Sequence, residues 1–298
     1  MSSSISGFTI LNSAVSLGYP FRESILSLLP FVDEFIVNVG QTDDGTWEAV
    51  NGLDSPKIKP FRSEWNLEPT GGSVLTQQTD IALSRCRSEW LVHLQGDELL
   101  HEEDAPALIR SINRESPSDV EGLTFDYLHF FASPHVVIDD WRTFYPAAVR
   151  ATRNLKGVIS TDAGFAFRTR TGRIRGLVKA RSGARIFHYG WSDFPTPKLE
   201  RAKALTRLYS GEADLKASDL VPADLSSMRS LRYFSGTHPA VARAAIDARP
   251  RPKLGKPYVT GPALRAWLWF LASPRTRWPE SRPFLPLWLT NLRWRRGR

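Results

Sequence analysis

The sequence predicts an α/β protein built on a mostly parallel central sheet flanked by helices. Three observations predict it. Short β-rich apolar runs alternate with stretches of helical periodicity over residues 5–98, and strand–helix–strand alternation implies parallel strands. The apolar runs end abruptly in loops rich in Gly, Asp and Asn. The chain has 298 residues and is 42% hydrophobic, enough for one large domain, or a domain plus an appendage, around a substantial core.

The elements follow in order. Ile5 to Leu11 reads as a short strand and Ser24 to Leu29 as a helical stretch before Pro30. Phe35 to Val39 is a β-rich run that ends in Gly40-Gln41-Thr42-Asp43-Asp44-Gly45-Thr46, whose Gly and Asp punctuation marks a turn feeding a helix. Lys57 to Phe61 is a third short strand. After Gly71-Gly72, residues Ser73 to Arg87 have helical periodicity, and Trp90 to Leu94 reads as a buried strand ending in Gln95-Gly96-Asp97-Glu98. Further on, Asp119 to Phe131 and Ala184 to His188 are strand-like, and Lys198 to Leu208 is helical. Arg249 to Pro257, rich in Pro and Lys/Arg, reads as a linker. The expected domains are a catalytic body over 1–248 and a basic, Trp-rich, helical C-terminal appendage over 249–298.

The net charge of +8 is unevenly placed. Residues 249–298 hold twelve Lys/Arg and one acid, or +11, against −3 for residues 1–248. A nucleic-acid-binding core would carry its Lys/Arg on the folded domain, so no nucleic-acid partner is expected. The single cysteine, Cys86, fits a reducing compartment. Met1-Ser2-Ser3-Ser4 lacks the basic start and apolar run of a signal peptide. The apolar stretch Ala263 to Ala272 is shorter than the about 20 residues that span a bilayer. The expected location is the cytoplasm or the cytoplasmic face of a membrane.

Ligands of open parallel sheets bind beyond the carboxyl ends of the strands. That rule points to the loop at Asn12 and Ser13, the loop from Asn38 through Gly40 to Asp43 and Asp44, and the loop at Gln95 to Glu98. Asp97 and Glu98 directly follow a buried apolar strand. A carboxylate there can hold a hard cation such as Mg²⁺ or Mn²⁺, with diphosphate oxygens completing the shell. It can equally serve as a cap for the next segment, whose Glu102, Glu103 and Asp104 resemble an acidic first helical turn. Arg150 and Arg153 could contact phosphate or an anionic acceptor, with a solvated strand edge the favoured reading. His93, His101, His129, His135 and His238 have no setting that suggests chemistry.

Residues 5–105 resemble a family 2 glycosyltransferase of the GT-A, Rossmann-like fold. The resemblance rests on Asn38-Val39-Gly40-Gln41-Thr42-Asp43-Asp44-Gly45-Thr46, where the family carries an Asp-Asp-Gly-Ser loop. It rests also on Gln95-Gly96-Asp97, where the family carries Asp-x-Asp. Ser6-Gly7-Phe8-Thr9, Leu17-Gly18-Tyr19-Pro20, Asp33-Glu34-Phe35 and His188-Tyr189-Gly190-Trp191 extend it over most of residues 5–195. It implies a nucleotide-diphospho-sugar donor, a divalent cation on Asp97, a ribose contact from Gln95 and a late metal ligand at His188. Inverting transfer also needs a base for the acceptor hydroxyl. Asp162, in a polar loop, is favoured for it over Glu98, Asp139 and Asp140.

The function so implied is inverting transfer of a sugar to a glycan or lipid-linked acceptor. The alternative is a catalytically weakened GT-A domain that binds a glycan or partner; the uncharged Gln95 favours it. A nucleotidyltransferase would show a Gly- and Arg/Lys-rich loop after the first strand, which Asn12 to Ser16 is not. The appendage holds five of the ten tryptophans, and basic charge with interfacial Trp suggests an anionic membrane surface as a further partner.

Overall fold

A computed structural model describes residues 3–68, 71–138, 144–195, 199–210 and 231–254. The strands are β1 (Ile5–Leu11), β2 (Glu34–Gly40), β3 (Ile58–Ser63), β4 (Trp90–His93), β5 (Glu98–Leu100), β6 (Gly122–Ala132) and β7 (Val136–Ile138). They continue with β8 (Ala147–Arg153), β9 (Val158–Thr161), β10 (Ala166–Thr171), β11 (Arg173–Gly176), β12 (Lys179–Ser192) and β13 (Leu231–Tyr233). The helices are α1 (Phe21–Leu28), α2 (Thr46–Asn51), α3 (Ser73–Leu83), α4 (Ala105–Glu115), α5 (Leu199–Ser210) and α6 (Ala240–Asp247).

The main sheet runs β13-β7-β6-β8-β4-β1-β2-β3. β3, β2, β1 and β4 are parallel. β8 runs antiparallel between β4 and β6, and β12 lies parallel to β6 and antiparallel to β5. A second, three-stranded sheet is formed by β9, β10 and β11. This is the α/β class the sequence predicts, with the mostly parallel half of the sheet following the GT-A resemblance.

The period-two alternation of strands sorts side chains between two cores. Phe35, Val37 and Val39 of β2 and Trp90 and Val92 of β4 face α1 and α4. Ile36, Leu91 and Phe8 of β1 face the other way, toward Ala82 of α3 and Phe167 of β10. Burial on both faces explains the near-continuous apolar text of these strands. α1 places Phe21, Ser24, Ile25 and Leu28 on one buried stripe. It passes at Leu29 into a single 3₁₀ turn, Leu29–Phe31, because Pro30 has no N–H to continue the α-helical bonds. Each buried Leu, Ile or Phe contributes roughly 1.5–3 kcal/mol.

Two expectations change here. α4 starts at Ala105, and Asp104 makes no side-chain cap bond to it. Asp104 instead pairs with Arg185 of β12 at 2.8 Å. Residues 249–254, expected as a linker, are docked: Arg249 donates to the carbonyls of Asp193 and Pro195, and Tyr233 donates its hydroxyl to the carbonyl of Pro252 at 2.7 Å. The expected membrane segment from residue 255 onward lies outside the described residues, as do Asp139 and Asp140. Among the described residues no helix is long and apolar enough to cross a membrane.

Candidate active site at the carboxyl edge of the sheet

β1 lies between β2 and β4, so the loops that follow these three strands are neighbours. They are also tied together. Ser16 N–H donates to Asp44 Oδ2 at 2.9 Å and Val15 N–H to Thr46 Oγ1 at 3.1 Å. The Ser24 hydroxyl donates to the Gln95 carbonyl at 3.0 Å. The amide of Asn12 packs so closely over Gly40 that any Cβ at 40 would collide with it.

Asn12, Ser13, Gly40, Asp43, Gln95 and Asp97, expected as donor-binding residues, lie along this edge. Asn12, Ser13, Gln95 and Asp97 are half-buried and Asp43 is exposed. Two others are committed elsewhere. Asn38 is fully buried inside β2. Its amide donates to the carbonyl and Oε1 of Gln78 at 3.1 and 2.9 Å, and it accepts the Ser63 hydroxyl at 2.5 Å. It braces β2 against β3 and α3 and has no free group for a nucleotide base. Asp44 accepts from Ser16 N–H, from Thr46 N–H at 3.1 Å and from the Thr42 hydroxyl at 2.9 Å. Burial would raise its pKa, but these donors outweigh it and hold the carboxyl at about 2. Its lone pairs clasp two loops and are not offered to a ligand.

Beyond β4, Asp97 faces His188 of β12, with Oδ2 3.8 Å from Nε2 and the two side chains 15% and 7% exposed. Burial, then the charge of Glu98, raises the Asp97 carboxyl to about 6. Burial lowers the His188 imidazole to about 4. Near pH 7 an anionic oxygen and a neutral nitrogen therefore face each other. Gly190 keeps the space between them. It sits where the β12–β6 register slips between His188 and Trp191, a β-bulge of the kind that re-aims side chains at sites. A Cβ at 190 would lie 2.5 Å from Asp97 Oδ2 and 2.7 Å from His188 Nε2.

The pair fits a hard divalent cation: an O and an N donor whose 3.8 Å separation is less than two ligand bonds of ~2.1 Å. Among the described residues no cluster of three or more His, Cys, Asp or Glu is arranged to hold a metal. Further ligands for an ion here would have to come from a bound molecule or water.

Glu98, a candidate base, is fully buried. It accepts from Arg150 Nε at 2.8 Å, Arg150 Nη2 at 2.7 Å and the Tyr127 hydroxyl at 2.7 Å. Burial opposes its ionisation, but Arg150 prevails and holds it at about 2. A carboxylate so held is a poor proton acceptor, which corrects that expectation. Arg150 is likewise no solvated edge residue: it is fully buried, and its Nη1 also donates to the Phe165 carbonyl at 2.9 Å.

That last bond ties the Asp162 turn to the same node. Asp162 is exposed, beside the Thr161 hydroxyl at 3.1 Å. Asp162, Ala163 and Gly164 all have positive φ, at 52°, 56° and 83°. Non-glycine residues held there store strain, a feature that clusters at functional sites. Ser160 N–H donates to Asp80 Oδ1 at 2.6 Å and anchors the turn from the other side.

Two residues here escaped the sequence reading. Arg201 of α5 is buried, lies over the Tyr19 ring at 5.5 Å, and its charge reaches both Asp97 and His188. His129 of β6 is the cross-strand partner of His188, with the two Nδ1 atoms 2.8 Å apart. No local spacing announces either one; the β6–β12 pairing and the return of α5 create them.

No protein-family model and no curated protein matches the chain. Among solved structures it is similar to S. aureus TarS 1–349 in complex with UDP-GlcNAc, at 20% identity over 43% of this chain and 34% of that one, TM-score 0.30. It is similar to the mannosyltransferase PcManGT from Pyrobaculum calidifontis in complex with GDP-Man and Mn²⁺, at 15% identity over 51% and 45%, TM-score 0.34. A third is glucosyl-3-phosphoglycerate synthase from Mycobacterium tuberculosis in complex with Mn²⁺, UDP and glucosyl-3-phosphoglycerate. There the identity is 15% over 43% and 44%, with a TM-score of 0.30. The matched part is less than half the length of each of these chains.

Proposed function

We propose that this chain is an inverting glycosyltransferase. It would move a sugar from a nucleotide-diphosphate donor to a hydroxyl of a glycan or lipid-linked acceptor, using Mn²⁺ or Mg²⁺ held by Asp97 and His188. The observation that carries this reading is the gap between Asp97 Oδ2 and His188 Nε2, kept open by Gly190 at the carboxyl edge of the sheet. A bound cation supplies neutralisation of the charge that develops on the leaving diphosphate.

The chain's own residues do the rest. Asn12, Ser13, Gly40 and Asp43 line the edge on which the nucleoside lies, and Gln95 offers an uncharged amide to the ribose. Arg201 sets a positive field against the phosphates. Glu98, locked to Arg150, holds the turn after β4 so that Asp97 stays aimed at His188. Asp162, an exposed carboxylate on an anchored turn, takes the proton from the acceptor hydroxyl.

Full-length protein given UDP- and GDP-sugars with Mn²⁺ is expected to release nucleoside diphosphate. Gly190→Ala should lose Mn²⁺ binding and turnover by roughly 100-fold or more while keeping its far-ultraviolet circular dichroism. Asp162→Asn should bind Mn²⁺ and donor normally and lose turnover. Wild-type turnover in Gly190→Ala overturns the metal site. Donor binding without turnover by the wild type would favour the second reading, a binding module, which the uncharged Gln95 suggests.

A further inference from the structure

We propose that His129 is a positioning residue: it fixes the tautomer of His188 so that a bare Nε2 faces Asp97. The inference rests on the metal reading above and adds a residue to it. His129 Nε2 lies 2.8 Å from the Tyr145 carbonyl oxygen. A carbonyl only accepts, so His129 carries its hydrogen on Nε2. A neutral imidazole has a single N–H, which leaves Nδ1 of His129 as a lone pair. That atom is 2.8 Å from Nδ1 of His188, and a bond at this distance needs one hydrogen. His188 must supply it. The only hydrogen of His188 is thereby placed on Nδ1, and its Nε2 is left as a lone pair.

The far side of the ring agrees. Nε2 of His188 stands 3.8 Å from Asp97 Oδ2, beyond hydrogen-bond reach, as expected when lone pairs face each other. Were the hydrogen on Nε2, it would donate to the carboxylate and block the donor atom. The 2.8 Å between the two Nδ1 atoms leaves room for one hydrogen and not two, so the rings cannot both be protonated.

His129 has little freedom to turn. Tyr127 stacks on it at 5.2 Å, Tyr145 meets it edge-on at 4.8 Å and Phe144 tilts against it at 5.1 Å. The register pairs His129 directly with His188, so the relay is built into the sheet. Outer partners of this sort orient ligating histidines, and losing one typically costs about 10–100-fold in metal affinity.

The test has two readouts. The first is a long-range ¹⁵N–¹H correlation spectrum of metal-free, ¹⁵N-histidine-labelled protein, which reports the tautomer of His188 directly. The second is a Mn²⁺ titration, with and without inorganic pyrophosphate, followed by electron paramagnetic resonance. Wild type should show His188 with hydrogen on Nδ1. His129→Leu should move it to Nε2 and weaken Mn²⁺ binding about 10–100-fold. His129→Gln, whose amide can donate to Tyr145 and accept from His188, should restore much of both. An Nε2–H tautomer in the wild type overturns the proposal, and so does His129→Leu with unchanged tautomer and affinity. If His129→Leu fails to fold, the wild-type and His129→Gln tautomers decide. The Nδ1–H tautomer in a wild type that binds no Mn²⁺ supports the relay and overturns the metal reading.

Discussion

His93 closes β4 fully buried, stacked on Phe8 at 4.8 Å and edge-on to Phe167 at 5.7 Å. Neither of its ring nitrogens has a partner among the described residues. Burial, then the charge of Arg150, lowers its pKa from 6.5 to about 3. Between these values the unfolded chain binds a proton that the folded one refuses, so stability falls as pH drops below 6.5. His93→Phe keeps the stacking, removes the orphaned nitrogens and abolishes that slope. Urea melts should show the variant gaining on wild type by about 2 kcal/mol between pH 6.5 and pH 5. An advantage that does not change with pH would mean that His93 titrates normally. In the sequence His93 had no setting that suggested chemistry, because the rings that enclose it come from β1 and β10.

Among the elements, β1, β2 and β4 are legible because a parallel strand buried on both faces must be apolar along its length. β8 was not. Its inward positions are filled by Ala and by Arg150, whose charge is hidden by Glu98 from another element. β5 has only three residues, too few for a period to register. The loop after β2 was legible as a turn, while the work of its aspartates was not. Asp44 joins the first and second strand loops, so Asp44→Ala should cost ~1–2 kcal/mol, the scale of a lost side-chain cap. Its folded pKa is depressed from 3.8 to about 2, so the contribution is complete above pH 3.8 and is lost as pH falls toward 2. Thermal melts should therefore show a constant deficit for the variant from pH 5 to 8, closing below pH 3.8. A deficit that persists at pH 2 would mean that the clasp does not depend on the charge.

At the scale of the whole molecule, the basic, Trp-rich end of the chain remains a proposal: residues beyond the docked stretch 249–254 hold the protein to an anionic membrane surface. Each basic residue near such a surface contributes about 1 kcal/mol. The docking of Arg249 and Pro252 dictates where to cut, since a break after Ala248 would strip contacts from the body. Full-length protein should sediment with phosphatidylglycerol vesicles at low salt and be released at high salt. A chain ending at Leu254 should stay in the supernatant and keep its fold. Vesicle binding that survives the cut would place the membrane contact on the body, and full-length protein that never sediments would end the proposal.

The sequence by itself determined the α/β class, the order of the first strands and the edge on which Asn12, Gly40 and Asp97 lie. These follow from periodicity and from loops at strand ends, both written in neighbouring residues. Tertiary structure decided which polar residues are free. Asn38, Asp44, Glu98 and Arg150 look alike in sequence to residues that bind ligands, yet each is held by a partner 25 or more positions away. His129 looks inert and instead touches His188, 59 positions on. Hydrogen bonding and burial are set by distance in space, and a parallel sheet brings together residues that the chain keeps far apart.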